Sequence, residues 1–185
     1  MIAANSLKNG NVIKVDDEFF TVVGLQHVKP GKGPAYMKVK LKNLIKGTVI
    51  EKTFRSTEKV EDVYIERKPM QYLYNNGDEY VFMDQENYEQ ISLSADYIGD
   101  SANLLKEGEI LEVQFFQDKP ISVIMPTFVE LKVTHTDPGV KGDTVSGAMK
   151  PATLETGITI NVPLFINEGD VIKVDTRENT YVERV

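Results

Sequence analysis

Cysteine is absent from the 185 residues of the chain. That excludes a disulfide framework, a thiolate zinc site and a cysteine nucleophile together, and it fits a reducing cytoplasm. Histidine occurs only as His27 and His135, neither beside acidic pairs at ligand spacing, so no metal site and no imidazole acid–base pair is expected. Long apolar runs are missing too. The longest, such as Ile121 to Met125, fall far short of the roughly 20 residues a helical bilayer span needs. Met1-Ile2-Ala3-Ala4-Asn5 has neither the basic region nor the apolar core of a secretion signal. The expectation is a cytoplasmic protein with no membrane partner. Ser146 sits between Gly142 and Gly147 without a G-x-S-x-G pattern, because Thr144 stands two residues before it. Lys32 is followed by Gly33 rather than by the hydroxyl residue of a G-x-x-x-x-G-K-[ST] phosphate cradle. No catalytic constellation is visible, so neither an enzyme nor a cofactor is expected.

What is there is an ordinary folding composition, 41% hydrophobic and 26% charged, with its charge polarised. A formal net charge of −7 argues against a polyanionic partner, since phosphate binding runs on Lys and Arg. The distribution says otherwise. Residues 1–66 hold eleven Lys and Arg against eight Asp and Glu, net +3, and residues 67–185 hold ten against twenty, net −10. Between Lys29 and Arg55 eight basic residues meet one acid, Glu51. This is the stretch suited to a polyanion, although such a run is as often a solvated face.

A short pattern appears three times: a glycine, an alternating strand, a turn and a second apolar run. The copies begin Gly10-Asn11-Val12-Ile13-Lys14-Val15, Gly108-Glu109-Ile110-Leu111-Glu112-Val113 and Gly169-Asp170-Val171-Ile172-Lys173-Val174. Their second runs are Phe19 to Val23, Ile121 to Met125 and Tyr181 to Val185, giving three β-hairpins. Asn75-Asn76-Gly77-Asp78 joins two further strands with Asn-Gly turn chemistry. Helices are scarce, the best candidate being Ser101 to Glu107 closed by Gly108, with a short turn near Ser56 to Val60. Many short strands at this spacing predict an all-β chain of three small barrels, divided at Arg67-Lys68-Pro69 and at Pro126. The predicted domains are 1–66, 67–126 and 127–185.

One segment stands out chemically: Lys29-Pro30-Gly31-Lys32-Gly33-Pro34-Ala35-Tyr36. Gly31 and Gly33 let the backbone turn sharply around Lys32, and Pro30 and Pro34 limit how far the turn wanders. After it, Met37, Val39 and Leu41 alternate with Lys38, Lys40 and Lys42, a strand burying one face and showing three ammonium groups on the other. The same residues also suit a plain hairpin turn with a solvated lysine.

This loop resembles the tip of the first, SH3-like (KOW-like) domain of the bacterial elongation factor P family, where the lysine between glycines bears a post-translational modification. A longer match follows: Lys150, Ala152, Gly157, Ile160, Val162-Pro163, Ile166 and Gly169 reproduce the family signature K-x-A-x(4)-G-x(2)-[LIV]-x-V-P-x(2)-[LIV]-x(2)-G without a gap. The resemblance runs from residue 1 to 185 and implies an SH3-like barrel followed by two OB-folds. The hypusine-bearing archaeal and eukaryotic counterpart resembles only the first two domains. By position, Gly142-Asp143-Thr144 is similar to a third-domain loop near the mRNA codon of the exit site, and Tyr181 with Arg184 to a C-terminal pair near the small subunit.

The resemblance implies a monomeric, non-enzymatic translation factor that binds the ribosome between the peptidyl and exit sites. There it would contact peptidyl-tRNA and relieve stalling at consecutive prolines. Lys32 would approach the tRNA 3′ end, bare or altered by a lysine-modifying enzyme, with Lys29, Lys38, Lys40 and Lys42 as the RNA-binding cations. Two alternatives share parts of this pattern. One is an elongation-factor-P-like paralogue with a different stall specificity. The other is a generic single-stranded RNA-binding protein, which needs aromatic platforms beside basic residues; Tyr72, Tyr74, Tyr80 and Phe82 are its candidates, in acidic surroundings.

Overall fold

The computed structural model describes residues 1–139 and 147–185, and its regular structure is almost all antiparallel strand. Three sheets follow one another along the chain. The first contains β1 (Ile2–Ala3), β2 (Val12–Val15), β3 (Glu18–Val28), β4 (Tyr36–Asn43), β5 (Val49–Arg55) and β6 (Lys59–Val63), ordered β1-β6-β2-β3-β4-β5. The second contains β7 (Glu66–Asn75), β8 (Glu79–Asp84), β9 (Gln90–Ser94), β10 (Ile110–Phe116) and β11 (Lys119–Ile124), ordered β11-β10-β7-β8-β9. The third contains β12 (Phe128–Thr136), β13 (Met149–Leu154), β14 (Thr159–Pro163), β15 (Val171–Asp175) and β16 (Thr180–Arg184), ordered β14-β13-β12-β15-β16. The last two share one connectivity. In each, the first strand lies in the middle, the next two stack on one side and the last two on the other. In the third sheet β14 also approaches β16, curling the sheet towards closure. Two compact units result: Met1–Lys68 with Gln114–Ser122, and Pro69–Val113 with Val123–Val185.

The thrice-repeated pattern is one hydrogen-bonded device. The Gly10 N–H donates to the Val22 carbonyl at 2.8 Å, and the Val22 N–H returns a bond to Asn11 at 2.8 Å. Gly108 and Glu109 do the same with Tyr72, both at 2.8 Å, as do Gly169 and Asp170 with Val133, at 2.9 and 2.8 Å. Each glycine has φ near +90°, a region that penalises any Cβ. On the other edge of the residue so tied, the register slips by one. Val22 pairs with Leu41 but Gly24 with Lys40; Tyr72 pairs with Phe82 but Tyr74 with Val81; Val133 pairs with Leu154 but His135 with Thr153. Val23, Leu73 and Thr134 are therefore bulge residues, where a strand bends and the inward face changes parity. Phe20 and Val22 face the first core before the bulge, and Leu25 packs on it afterwards. In the third sheet Val129, Leu131 and Val133 are buried before the bulge and Thr136 after it.

Three sequence expectations need correction. The helical segment begins earlier than Ser101: α1 (Ala95–Ile98) starts where Ser94 Oγ accepts the Asp96 N–H at 3.4 Å, and a 3₁₀ turn carries on through Gly99–Leu104. Leu104 and Leu105 are buried at its end, which places apolar anchors where a longer helix was read. Pro69 lies inside β7 rather than outside a strand. It precedes Met70, the first residue paired with β8, so no bond of that ladder loses its donor. The Asn76-Gly77 turn has positive φ only at Gly77; among the described residues, the turns with two successive positive-φ residues are Asp16-Asp17 and Gln117-Asp118.

Gly169 has open space around a built Cβ, so its replacement tests backbone conformation alone. Gly169→Ala should destabilise the chain by about 1–2 kcal/mol, the cost of a Cβ in a left-handed conformation, read as a lower urea midpoint at unchanged slope.

Candidate functional site

β3 and β4 form a long hairpin whose connection is residues 29–35. Lys29, Pro30, Gly31, Lys32, Gly33 and Pro34 are all exposed. Only Gly33 of the two glycines needs to be one, with φ +103°, whereas Gly31 lies outside the positive-φ region. Among the described residues, none forms an ion pair with Lys29 or Lys32.

The root of the loop is held from below. Val28 and Tyr36 are the last paired residues, and the Ala35 carbonyl accepts the Ser56 N–H at 3.0 Å. Ser56 is buried; its Oγ lies 3.1 Å from His27 Nε2 and its carbonyl accepts the Asn5 N–H at 3.0 Å. One serine thus ties both arms of the hairpin to the N-terminal turn. Sequence reasoning missed it, and it set His27 aside as isolated. The partner is 29 residues away and no local pattern announces it.

Met37, Val39 and Leu41 are buried, while Lys38 is half-buried and Lys40 and Lys42 are exposed. The stem of Lys40 lies across Gly24, where a built Cβ would come within 3.2 Å of its Cδ. Glu51 on β5 stands opposite Lys40, leaving Lys38 and Lys42 opposite Thr53 and Val49. The stripe presents Lys38, Lys40 and Lys42 on the face of β4 opposite its buried residues.

At the other end of the chain, Tyr181 and Arg184 lie on β16. Their spacing would put them on opposite faces of a regular strand. A register shift intervenes, so Tyr181 pairs with Val174 and Arg184 with Ile172, two buried residues of one face. Tyr181 packs against that core. Gly142, Asp143 and Thr144 lie outside the described residues. Tyr72 and Phe82 are buried in the second sheet and Tyr80 is half-buried, so of the aromatic set only Tyr74 is exposed. Those four do not form a platform for single-stranded RNA.

Three family models cover the chain: the elongation factor P KOW-like domain at residues 3–60, its OB domain at 65–123 and its C-terminal domain at 129–184. The chain is 56% identical over 185 residues to the elongation factor P of Caldanaerobacter subterraneus subsp. tengcongensis, covering 100% of both. The chain belongs to the elongation factor P family. Its identity to the elongation factor P of Coprothermobacter proteolyticus is 53%, again over 100% of both chains. A solved structure titled as eukaryotic translation initiation factor 5A from Methanococcus jannaschii aligns with TM-score 0.53 and 28% identity, covering 66% of this chain and 92% of that one.

Elongation factor P is a translation elongation factor and not an enzyme, which accords with a site made of an exposed loop and a cationic strand. Among the described residues no cluster of three or more His, Asp or Glu could hold a metal ion, and no helix is long and apolar enough to cross a membrane. The elongation factor P signature is itself mostly a folding motif. Ala152, Ile160, Val162 and Ile166 are buried in the third core, Gly157 and Gly169 have positive φ, and the buried Lys150 gives its ammonium to the Asp137 carbonyl.

Ser56→Ala keeps the backbone bonds and removes only the link to His27. Losing one such bond costs about 1 kcal/mol, so trypsin should cleave after Lys32 about fivefold faster than in the parent, if local opening limits cutting. Unchanged cleavage would show that the backbone bonds hold the root alone.

Proposed function

We propose that the chain acts in the cytoplasm as a monomer, with domains 1–66, 67–126 and 127–185, binding the ribosome between the peptidyl and exit sites. It speeds peptide-bond formation there and relieves stalling at consecutive prolines. The observation that carries this reading is the presentation of Lys32: an exposed ammonium, unpaired among the described residues, on a loop whose root is tied down at Ser56 and whose flanks are prolines. Proline is a constrained nucleophile. Fixing the end of peptidyl-tRNA raises the fraction of reactive geometries, and a tenfold gain in rate needs only about 1.4 kcal/mol. The tether matters because a free lysine surrenders about 2 kcal/mol of rotamer entropy when fixed, and a mobile loop would add to that.

Lys29, Lys38, Lys40 and Lys42 make the phosphate contacts, and Lys32, bare or enlarged by a lysine-modifying enzyme, reaches the tRNA 3′ end. Tyr181 and Arg184 face RNA of the small subunit, with Gly142, Asp143 and Thr144 near mRNA at the exit site. The chain supplies position and charge, and the ribosome the chemistry.

Lys32→Ala should abolish relief on a reporter with consecutive prolines, while thermal stability stays unchanged and ribosome affinity falls by less than about threefold, as suits one flexible surface charge. Normal translation of that reporter by the variant would refute the reading. Replacing Lys38, Lys40 and Lys42 together by Gln should weaken ribosome binding and flatten its salt dependence, by about 0.7–0.9 in logarithmic slope for each phosphate that no longer meets an ammonium group. An unaltered slope would make the stripe a solvated face.

A further inference from the structure

After β14 the chain turns through Pro163-Leu164-Phe165-Ile166, closed by the Ile166 N–H donating to the Pro163 carbonyl at 3.2 Å. Ile166 is fully buried in the third core, while its neighbour Phe165 is 58% exposed. The Arg184 guanidinium lies 5.5 Å from the Phe165 ring centroid, within cation–π range. Arg184 is oriented in turn: its Nη1 is 3.8 Å from Asp170 Oδ2, and the same oxygen accepts the Asn167 N–H at 2.9 Å. Two planar groups are thus held together before any partner arrives. The nearby Lys173 is otherwise engaged, its ammonium hydrogen-bonded to Glu183, which holds its pKa above the ordinary lysine range.

We propose that Phe165 and Arg184 form a stacking platform for an unpaired nucleobase of RNA. This rests on the reading of Tyr181 and Arg184 as an RNA-facing pair, and adds to it Phe165 and the kind of contact made. A base offers an uncharged π-face that stacks on aromatic rings and guanidinium planes alike, whatever its identity. Stacking also suits its setting. Residues 67–185 carry a net charge of −10, so an RNA contact here gains little from general phosphate attraction and depends on a local, charge-independent grip.

The test is the affinity of the full chain for ribosomes stalled at consecutive prolines, measured across a salt series. Phe165→Ala should weaken binding about tenfold and leave the salt slope unchanged, since no charge is removed. Phe165→Trp should bind within about twofold of the parent, while Phe165→Leu, similar in bulk but without a π-face, should lose as much as alanine. Arg184→Gln should weaken binding, since it removes the guanidinium plane beside the Phe165 ring. Thermal unfolding of the Phe165 variants should match the parent, because the ring is mostly exposed. A leucine variant that binds like the parent would mean a plain apolar contact, as a protein surface gives, and would overturn the platform; so would an alanine variant with full affinity. If Arg184→Gln leaves affinity unchanged, the RNA-facing reading of the C-terminal pair falls, and the platform with it.

Discussion

The paired backbone bonds between Gly10-Asn11 and Val22, and their equivalents at Tyr72 and Val133, fix where each long strand bends. A glycine with φ near +90° sets the approach, two hydrogen bonds hold the strand, and the adjacent register slips by one residue. Everything beyond that point inherits a reversed face. In the first sheet the reversal is what lets Leu25 pack inward opposite Val39 while Gln26 and Lys38 face out together. Without it the far half of β3 would turn Gln26 towards the core, and the hairpin that carries Lys32 would lose the apolar packing that stiffens its arm.

The loop of residues 29–35 is then the end of a lever. The lever is stiff because β4 buries Met37, Val39 and Leu41, and because β3 and β5 flank it along its length. Its tip has few contacts of its own, and this is why its root has a dedicated tie. Ser56 joins the Ala35 carbonyl, the His27 ring and the Asn5 N–H, so movement of either arm strains a shared node. Burial of such a node in partnered form is stabilising, and leaving any member unpaired costs more than the bond itself contributed.

Much of this was legible in the chain. The glycine repeat located three hairpins, β2–β3, β10–β11 and β15–β16, and the alternation from Met37 to Leu41 gave the buried face of β4. The family signature was legible for a physical reason: its residues are core positions and positive-φ glycines, which tolerate few replacements. What escaped was whatever depends on a bulge or on distant pairing. Period-two reading broke at Val23-Gly24, so β3 looked as if it ended where it bends, and the shift beside Lys173, which sets Tyr181 and Arg184 opposite two residues of one face, has no signal in the sequence. The start of α1 was missed because a single capping serine, Ser94, outweighed the composition of the residues after it. Phe165 left no periodic signal at all; only the burial of Ile166 beside it makes its exposure meaningful.

The division of charge follows from the same geometry. At physiological salt, attraction between exposed charges fades over about 8 Å, so a net charge summed over the chain says little about the local field at the lysines of β4. The acids in excess along residues 67–185 act locally, discouraging phosphates from settling on their own surfaces. A chain with cations spread evenly would hold RNA in many orientations, each attractive and most of them wrong. In the proposed role, concentrating the basic residues between Lys29 and Arg55 would favour one orientation and tie the direction of approach to the loop that carries Lys32. Under that proposal, contacts made elsewhere would be short-ranged and shape-dependent, as stacking on an aromatic ring beside an oriented guanidinium is.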